Sequence, residues 1–411
     1  MGSIADTLPN PERLDPHEAP PQKLKEIYKS WTGATAITPE RLKNEVLDTE
    51  SLQANAGTGT EDISPEVLGK HFGQFLVNNA FQTDTSEGSG SGNASLAVST
   101  NDINMAALKA TAHDIKKIPG EEAFSLFLSV ALQDIPSHQS PISKEFSTKL
   151  VFYFTKPHLL YLFYLLSDSV SGLMVFPSLL PPSVQQSLLS GLLHRELSNP
   201  ENQTNLHLHH TITYPPSKAS FFSTDPEDCP HLPKDHATHK PLSNRAVLEK
   251  SLHWVTLGGQ YDWTNKEYPK GTPPTFPPPT AHLIYSLFPY TTPQAAILNI
   301  YTPKDKLSLH RDVSEAVDRG LVSISLGCSA LFVIGLRDKT SGELHHETIL
   351  LRSGDVLYMD GESRYAWHGV PKILQGTCPG YLQSWPGKNF PAYEGWMGNR
   401  RINLNVRQMF E

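Results

Sequence analysis

Cysteine is scarce in this 411-residue chain: Cys229, Cys328 and Cys378 are its three, and none sits in a Cys-x-x-Cys pair. That argues against a disulfide framework and against a zinc ribbon. An excess of basic charge is missing too. The net charge is −8, which argues against a general polyanion-binding surface. The charge is uneven, however: residues 281–411 hold 13 Lys and Arg against 12 Asp and Glu, so a local basic patch stays open. Nothing resembles a membrane span, which takes about 20 apolar residues. Residues 159–166, after Phe152-Tyr153-Phe154, come nearest but stop at Ser167-Asp168-Ser169, and predict a buried core element. No basic-then-apolar leader opens the chain, and Asp6 stands where a myristoylation signal takes Ser or Thr. The expectation is an intracellular monomer without a membrane partner, in the cytoplasm or nucleus, with the mitochondrion also open.

What is abundant is proline, with 34 residues. It favours loops and β-rich architecture over long helical bundles. Helical patterning marks residues 24–31 and 65–81. A Gly-Ser-Gly-Ser-Gly run within 83–93 reads as a linker, and a mixed segment follows to about 149. Residues 172–177 predict a strand, and 182–197 a helix with Leu188, Leu189, Leu192 and Leu193 at helical spacing. The Pro-, Asp- and His-rich stretch 215–245 reads as an exposed loop. From 251 on, short strands are predicted at 252–257, 295–301, 321–326, 330–336, 347–351, 355–359, 365–370 and 402–409. Closely spaced strands with glycine turns suggest a sandwich or jelly roll. The chain divides into an N-terminal region (1–165), a middle region (166–280) and a β-rich core (281–411).

His310 and Asp312 are two apart, so on an extended strand both face one side while Arg311 points away. With His368 they make two imidazoles and a carboxylate, the ligand set of a mononuclear non-haem iron centre. His-Arg-Asp also opens a protein-kinase catalytic loop. That motif needs Asn where Val317 stands, and neither Asp-Phe-Gly nor a glycine-rich loop is present, so the kinase reading fails. In Arg401-Ile402-Asn403-Leu404-Asn405-Val406-Arg407 the odd positions put two guanidiniums and two amides on one face. Such a face suits bidentate carboxylate binding, although an ordinary half-exposed strand reads the same way. Asn299 and Tyr301 share a face by the same rule. His207, His209 and His210 form a cluster on a predicted strand without a carboxylate or cysteine partner, and His345-His346 reads as a hairpin turn.

Leu298-Asn299-Ile300-Tyr301, Leu307 to Asp312, Ser323 to Gly327, Ser353 to Leu357, Gly361-Glu362-Ser363-Arg364, His368-Gly369-Val370 and the terminal strand resemble successive signatures of the AlkB family. Trp254 to Gly258 with Tyr261-Asp262-Trp263 resembles its eukaryotic homologue-1 subgroup. The resemblance covers about 170–411. It implies an α+β protein: a double-stranded β-helix (jelly-roll) core with flanking helices and an N-terminal extension. It also implies Fe(II) held by His310, Asp312 and His368, the catalytic centre, with 2-oxoglutarate and O2 as co-substrates. Arg401 and Arg407 would hold the two carboxylates, hydrogen-bonded by Asn299, Tyr301 and Asn403. Trp254 and Tyr261 would meet the substrate, a methylated base of tRNA or DNA, flipped or single-stranded, such as N1-methyladenine; Arg364 reads as a residue behind the ligands or in the base cavity, not a metal ligand. Products would be formaldehyde, succinate and CO2. Two departures stand out: Ser314 where the bacterial pattern is acidic, with Glu315 next, and Asn405 where the family often has Thr. A dioxygenase acting on a protein side chain and a non-catalytic nucleic-acid-binding module remain the alternatives.

Overall fold

Strands alternating apolar and polar residues need two partners, one dry and one wet, and this chain gives them both. The computed structural model describes residues 14–48 except 16, 35 and 36, two strands at Thr148–Val151 and Tyr164–Ser167, and residues 170–410 except 218, 263–267, 270–271, 289 and 339–340. The predicted helix 65–81, the Gly-Ser linker, most of the mixed segment and residues 159–163 of the apolar run lie outside the described residues. Among the described residues no helix is long and apolar enough to cross a membrane.

The early strands are β1 (Leu47–Asp48), β2 (Thr148–Val151), β3 (Tyr164–Ser167), β4 (Leu173–Phe176), β5 (His210–Thr211) and β6 (Leu232–Pro233). Next come β7 (Trp254–Gly258), β8 (Ala295–Tyr301), β9 (Leu307–His310), β10 (Leu321–Gly327) and β11 (Ala330–Arg337). The last are β12 (Leu344–Leu351), β13 (Val356–Met359), β14 (Trp367–Ile373) and β15 (Arg401–Arg407). One sheet runs β2-β3-β4-β13-β10-β15-β8-β7, and the other β1-β12-β11-β14-β9. Their pairings are antiparallel, except that β1 joins β12 in parallel. This is the jelly-roll core expected from the sequence.

Period-2 alternation sorts the large sheet into two faces. Ile324 and Leu326 of β10, with Ile402, Leu404 and Val406 of β15, enter the main hydrophobic cluster. Leu188 and Leu189 of the helix Pro182–Ser190 and Leu283 and Ile284 of the helix Pro278–Leu287 share that cluster. The other face pairs Ser323 with Asn405, Ser325 with Asn403 and Gly327 with Arg401. A second cluster lies on the far side of the small sheet. There Leu331, Val333, Leu350 and Trp367 meet Leu24 and Trp31 of α1 (Gln22–Thr32) and Val46. Gly335 permits that approach, since a Cβ there would lie 2.8 Å from Leu24 Cδ1. The N-terminal segment is therefore built onto the barrel.

Five local expectations need correction. The stretch 215–245 is not simply an exposed loop: Phe221, Phe222, His231 and Asn244 are buried in it, because the aromatic pair outweighs its polar neighbours. His207 sits in a 3-10 turn, Asn205–Leu208, capped by Thr204, and only His210 enters a strand. His345 and His346 belong to β12, opposite Leu336 and Gly335, because the hairpin turns at Asp338–Gly342 instead. The last strand starts at Arg401 and ends at Arg407, two residues short of the predicted limit, and β14 starts after a 3-10 turn Gly361–Tyr365.

Candidate active site

The two imidazoles come from neighbouring strands. His310 ends β9, and His368 is its register partner on β14. Gly369 makes the approach possible, because a Cβ there would stand 2.8 Å from the Leu307 carbonyl oxygen. Asp312 follows two residues past the end of β9. One ligand atom from each of His310, Asp312 and His368 lies within 4.8 Å of the others. Each His Nε2 is 3.8 Å from an Asp312 carboxylate oxygen.

Local hydrogen bonds set the tautomers. Nδ1 of His310 and Nδ1 of His368 donate to the carbonyls of Ser308 and Ala366, at 2.9 and 3.0 Å. A carbonyl only accepts, so each Nδ1 carries a proton and Nε2 is the nitrogen that faces a metal. Burial, helped by the neighbouring His310, lowers the His368 pKa to about 4, which keeps that ring neutral. Burial alone would raise the Asp312 carboxyl, but Arg407, both histidines and Arg364 hold it well below the usual range. Two imidazoles and one anionic carboxylate at this spacing fit Fe(II).

Beside them lies a polar cradle on the large sheet. Arg401, 1% exposed, faces Tyr301 across the β15–β8 ladder, and Asn403 faces Asn299. Arg401 donates to the Cys328 carbonyl at 3.3 Å and to Ser325 Oγ at 2.7 Å. Its Nε and the Tyr301 hydroxyl are buried without a partner. Burial lowers Arg401 to about 10 and pushes the Tyr301 phenol up. Buried donors left unsatisfied are costly, and an entering carboxylate would satisfy both. Asn403 donates to Ser323 Oγ at 2.8 Å and to the Ile324 carbonyl at 3.1 Å. Those residues fit one end of 2-oxoglutarate.

Arg407 is held differently. Its Nη2 donates to Asp312 Oδ2 at 2.9 Å and its Nη1 to Tyr268 Oη at 3.3 Å. Only Nε lacks a hydrogen-bond partner. Asn405 also donates to Asp312 Oδ2, at 3.3 Å.

The substrate-side residues each adjoin a different part of the site. Trp254, partly buried at the start of β7, is the ladder partner of Asn299. Tyr261 Oη is 3.2 Å from Ser314 Oγ, and its ring meets Tyr268 edge-on. Trp263 lies outside the described residues. Arg364 is 1% exposed, and each of its three nitrogens donates to the protein: Nε to Arg319 O, Nη1 to Asp312 O and Nη2 to Glu315. Of the two places the sequence left open for it, beside the ligands or in a base cavity, these contacts put it beside Asp312. The sequence reading missed Tyr268, and it named Glu315 and the serines of β10 without giving them a role. The role of Ser323 and Ser325 could have been found by the period-2 rule, since they sit opposite Asn405 and Asn403. Tyr268 lies in a proline-rich stretch with no periodic signal.

A family model described as "2OG-Fe(II) oxygenase superfamily" matches residues 205–407, a span that holds every residue named in the metal site and the cradle. The chain is 52% identical over 264 residues to the N6-methyladenosine RNA demethylase ALKB1 of Pyricularia oryzae, covering 58% of this chain and 75% of that protein. It is 52% identical over 221 residues to the N6-methyladenosine RNA demethylase ALKBH of Cryphonectria parasitica, covering 50% and 99%. It is 33% identical over 248 residues to the tRNA demethylase abh1 of Schizosaccharomyces pombe, covering 58% and 79%. On its sequence matches and its His-Asp-His site, the chain belongs to the 2OG-Fe(II) oxygenase superfamily and, within it, to the AlkB family.

Proposed function

We propose that this chain is an oxidative nucleic-acid demethylase and that it favours a neutral methylated base, of the N6-methyladenine type, over a cationic one. The observation that carries the demethylase reading is the pairing of the His310, Asp312 and His368 triad with the unsatisfied Arg401 and Tyr301 donors. Fe(II), with 2-oxoglutarate and O2, supplies the oxidation of an N-methyl group, which leaves as formaldehyde while succinate and CO2 form. The protein's share is binding and orientation. His310, Asp312 and His368 would hold the metal on one face, and Arg401 with Tyr301 would grip the distal carboxylate. Asn299, Asn403 and Arg407 would set its angle. Trp254 offers an aromatic face at the site's edge, which suits a base taken out of its stack.

Charge supports the substrate class. N1-methyladenine, the example expected from the sequence, is a cation, and a site reading it gains from an uncompensated carboxylate. Here Ser314 supplies a neutral hydroxyl two residues after Asp312, and Tyr261 meets it with another. The neighbouring Glu315 is committed to Arg364 at 2.6 Å and lies 3.5 Å from Arg407 Nε. No free negative charge is therefore left for a cationic base among these groups. The N6-methyladenosine demethylases of P. oryzae and C. parasitica agree with that reading.

The test supplies purified protein with Fe(II), ascorbate and 2-oxoglutarate, and compares RNA oligonucleotides carrying N6-methyladenine or N1-methyladenine. Succinate should form only with iron, and the N6-methyl base should be demethylated faster. Preference for the N1-methyl base would overturn the charge argument. Iron-independent succinate formation would overturn the metal assignment.

A further inference from the structure

Asp312 lies past the end of β9, in a segment, residues 311–320, that belongs to no strand. A ladder does not fix its carboxylate, so something else must. Four charged side chains close a ring there. Arg364 Nη1 donates to the Asp312 carbonyl at 2.8 Å and Nη2 to Glu315 Oε2 at 2.6 Å. Glu315 Oε1 stands 3.5 Å from Arg407 Nε, and Arg407 Nη2 returns to Asp312 Oδ2 at 2.9 Å. The side chains of Glu315 and Arg364 are 2% and 1% exposed. Arg364 also belongs to the turn Gly361–Tyr365, just ahead of the strand that carries His368.

We propose that Glu315 and Arg364 are positioning residues for the metal carboxylate, not contacts to the nucleobase. Buried charges persist only when paired, and here two carboxylates balance two guanidiniums. Asp312 Oδ2 accepts from Arg407 and Asn405, whereas Oδ1 accepts from neither and lies 3.8 Å from His310 Nε2. Oδ2 also lies 3.8 Å from His368 Nε2, so the ring holds the carboxylate with one oxygen toward each imidazole. Without the Glu315 charge, two guanidiniums share the single Asp312 carboxylate and draw it off the imidazoles. Arg364 contributes the second anchor by holding the main chain of the same residue. The inference rests on the metal-site reading above.

The experiment titrates the metal-free protein with Mn(II), followed by electron paramagnetic resonance, and measures oligonucleotide affinity by fluorescence anisotropy. Glu315→Gln and Arg364→Lys should each weaken Mn(II) binding about tenfold to a hundredfold, as loss of a hydrogen-bonded supporting partner does. Oligonucleotide affinity should stay unchanged, and KM for 2-oxoglutarate should rise more than kcat falls. Unchanged Mn(II) affinity, or a loss of oligonucleotide affinity as large as the loss of metal affinity, overturns the proposal. Should a single variant fail to fold, Glu315→Gln/Arg364→Gln removes both charges together and is judged by the same two readings. Failure of the unaltered chain to bind Mn(II) would instead overturn the metal-site reading itself.

Discussion

Arg401 and Arg407 lie six residues apart on one face of β15, yet they meet different partners. Arg401 ends against neutral groups, Ser325 Oγ and the Cys328 carbonyl, and keeps an unsatisfied Nε. Arg407 is bonded to the metal carboxylate. Their substitutions should therefore behave differently. Arg401→Lys keeps the charge but loses the planar fork, so KM for 2-oxoglutarate should rise about tenfold to a hundredfold with metal affinity intact. Arg407→Lys should weaken metal and co-substrate together, as titration calorimetry would separate. His310→Ala should abolish succinate formation while the circular dichroism spectrum and melting temperature of the metal-free protein stay close to those of the unaltered chain. A variant that still turned over 2-oxoglutarate would remove His310 from the ligand set.

Individual elements carry their own tests. In α1, Leu24 is fully buried against the outer face of the small sheet, over Gly335. Leu24→Ala should cost about 2–5 kcal/mol of stability in urea unfolding, from lost burial and the cavity left behind. The helix at 182–196 holds His194 between Trp385 and Phe390, with ring centroids 4.9 and 4.7 Å away. Burial lowers its pKa from 6.5 to about 4, so the unfolded chain takes the proton first. Its contribution is complete above pH 6.5 and is lost as the pH falls toward 4, on the order of 3 kcal/mol in all. His194→Phe should flatten the slope of stability against pH between 7 and 5. The same scale shows what could be read from the chain. Residues 295–301 and 401–407 declared themselves, because alternation marks a strand with one polar face, and Asn299, Tyr301, Asn403 and Arg401 do meet across one ladder. His310, Asp312 and His368 were legible as ligand types and do converge. The fate of Arg364 was not legible: its partners are 45, 49 and 52 residues away, and no local pattern encodes them. The packing of α1 was hidden for the same reason, since its partners lie some 300 residues downstream.

Across the whole molecule, the metal site and the cradle join the two sheets, because the imidazoles stand on one and the arginines on the other. Ligands that bridge them should stabilise the fold as a unit. With Mn(II) and 2-oxoglutarate each at about a hundred times their Kd, each would add about 2.7 kcal/mol, visible as a rise of several degrees in Tm. A chelator should reverse the metal's share. A Tm indifferent to both would argue that the two sheets are not bridged.

The two-residue strand β1 has a bearing on how the protein behaves at high concentration. It covers the edge of β12, where Leu47 and Asp48 pair with Ile349 and Leu350, and Asp48 is clamped by Arg352 at 2.6 and 3.0 Å. An apolar strand edge laid bare is a template for pairing with another chain. Loosening that clamp, as in Asp48→Ala, would leave the thermal midpoint little changed yet open a route to edge-to-edge assembly. Turbidity that grows with protein concentration, rather than a lower Tm, would be its mark.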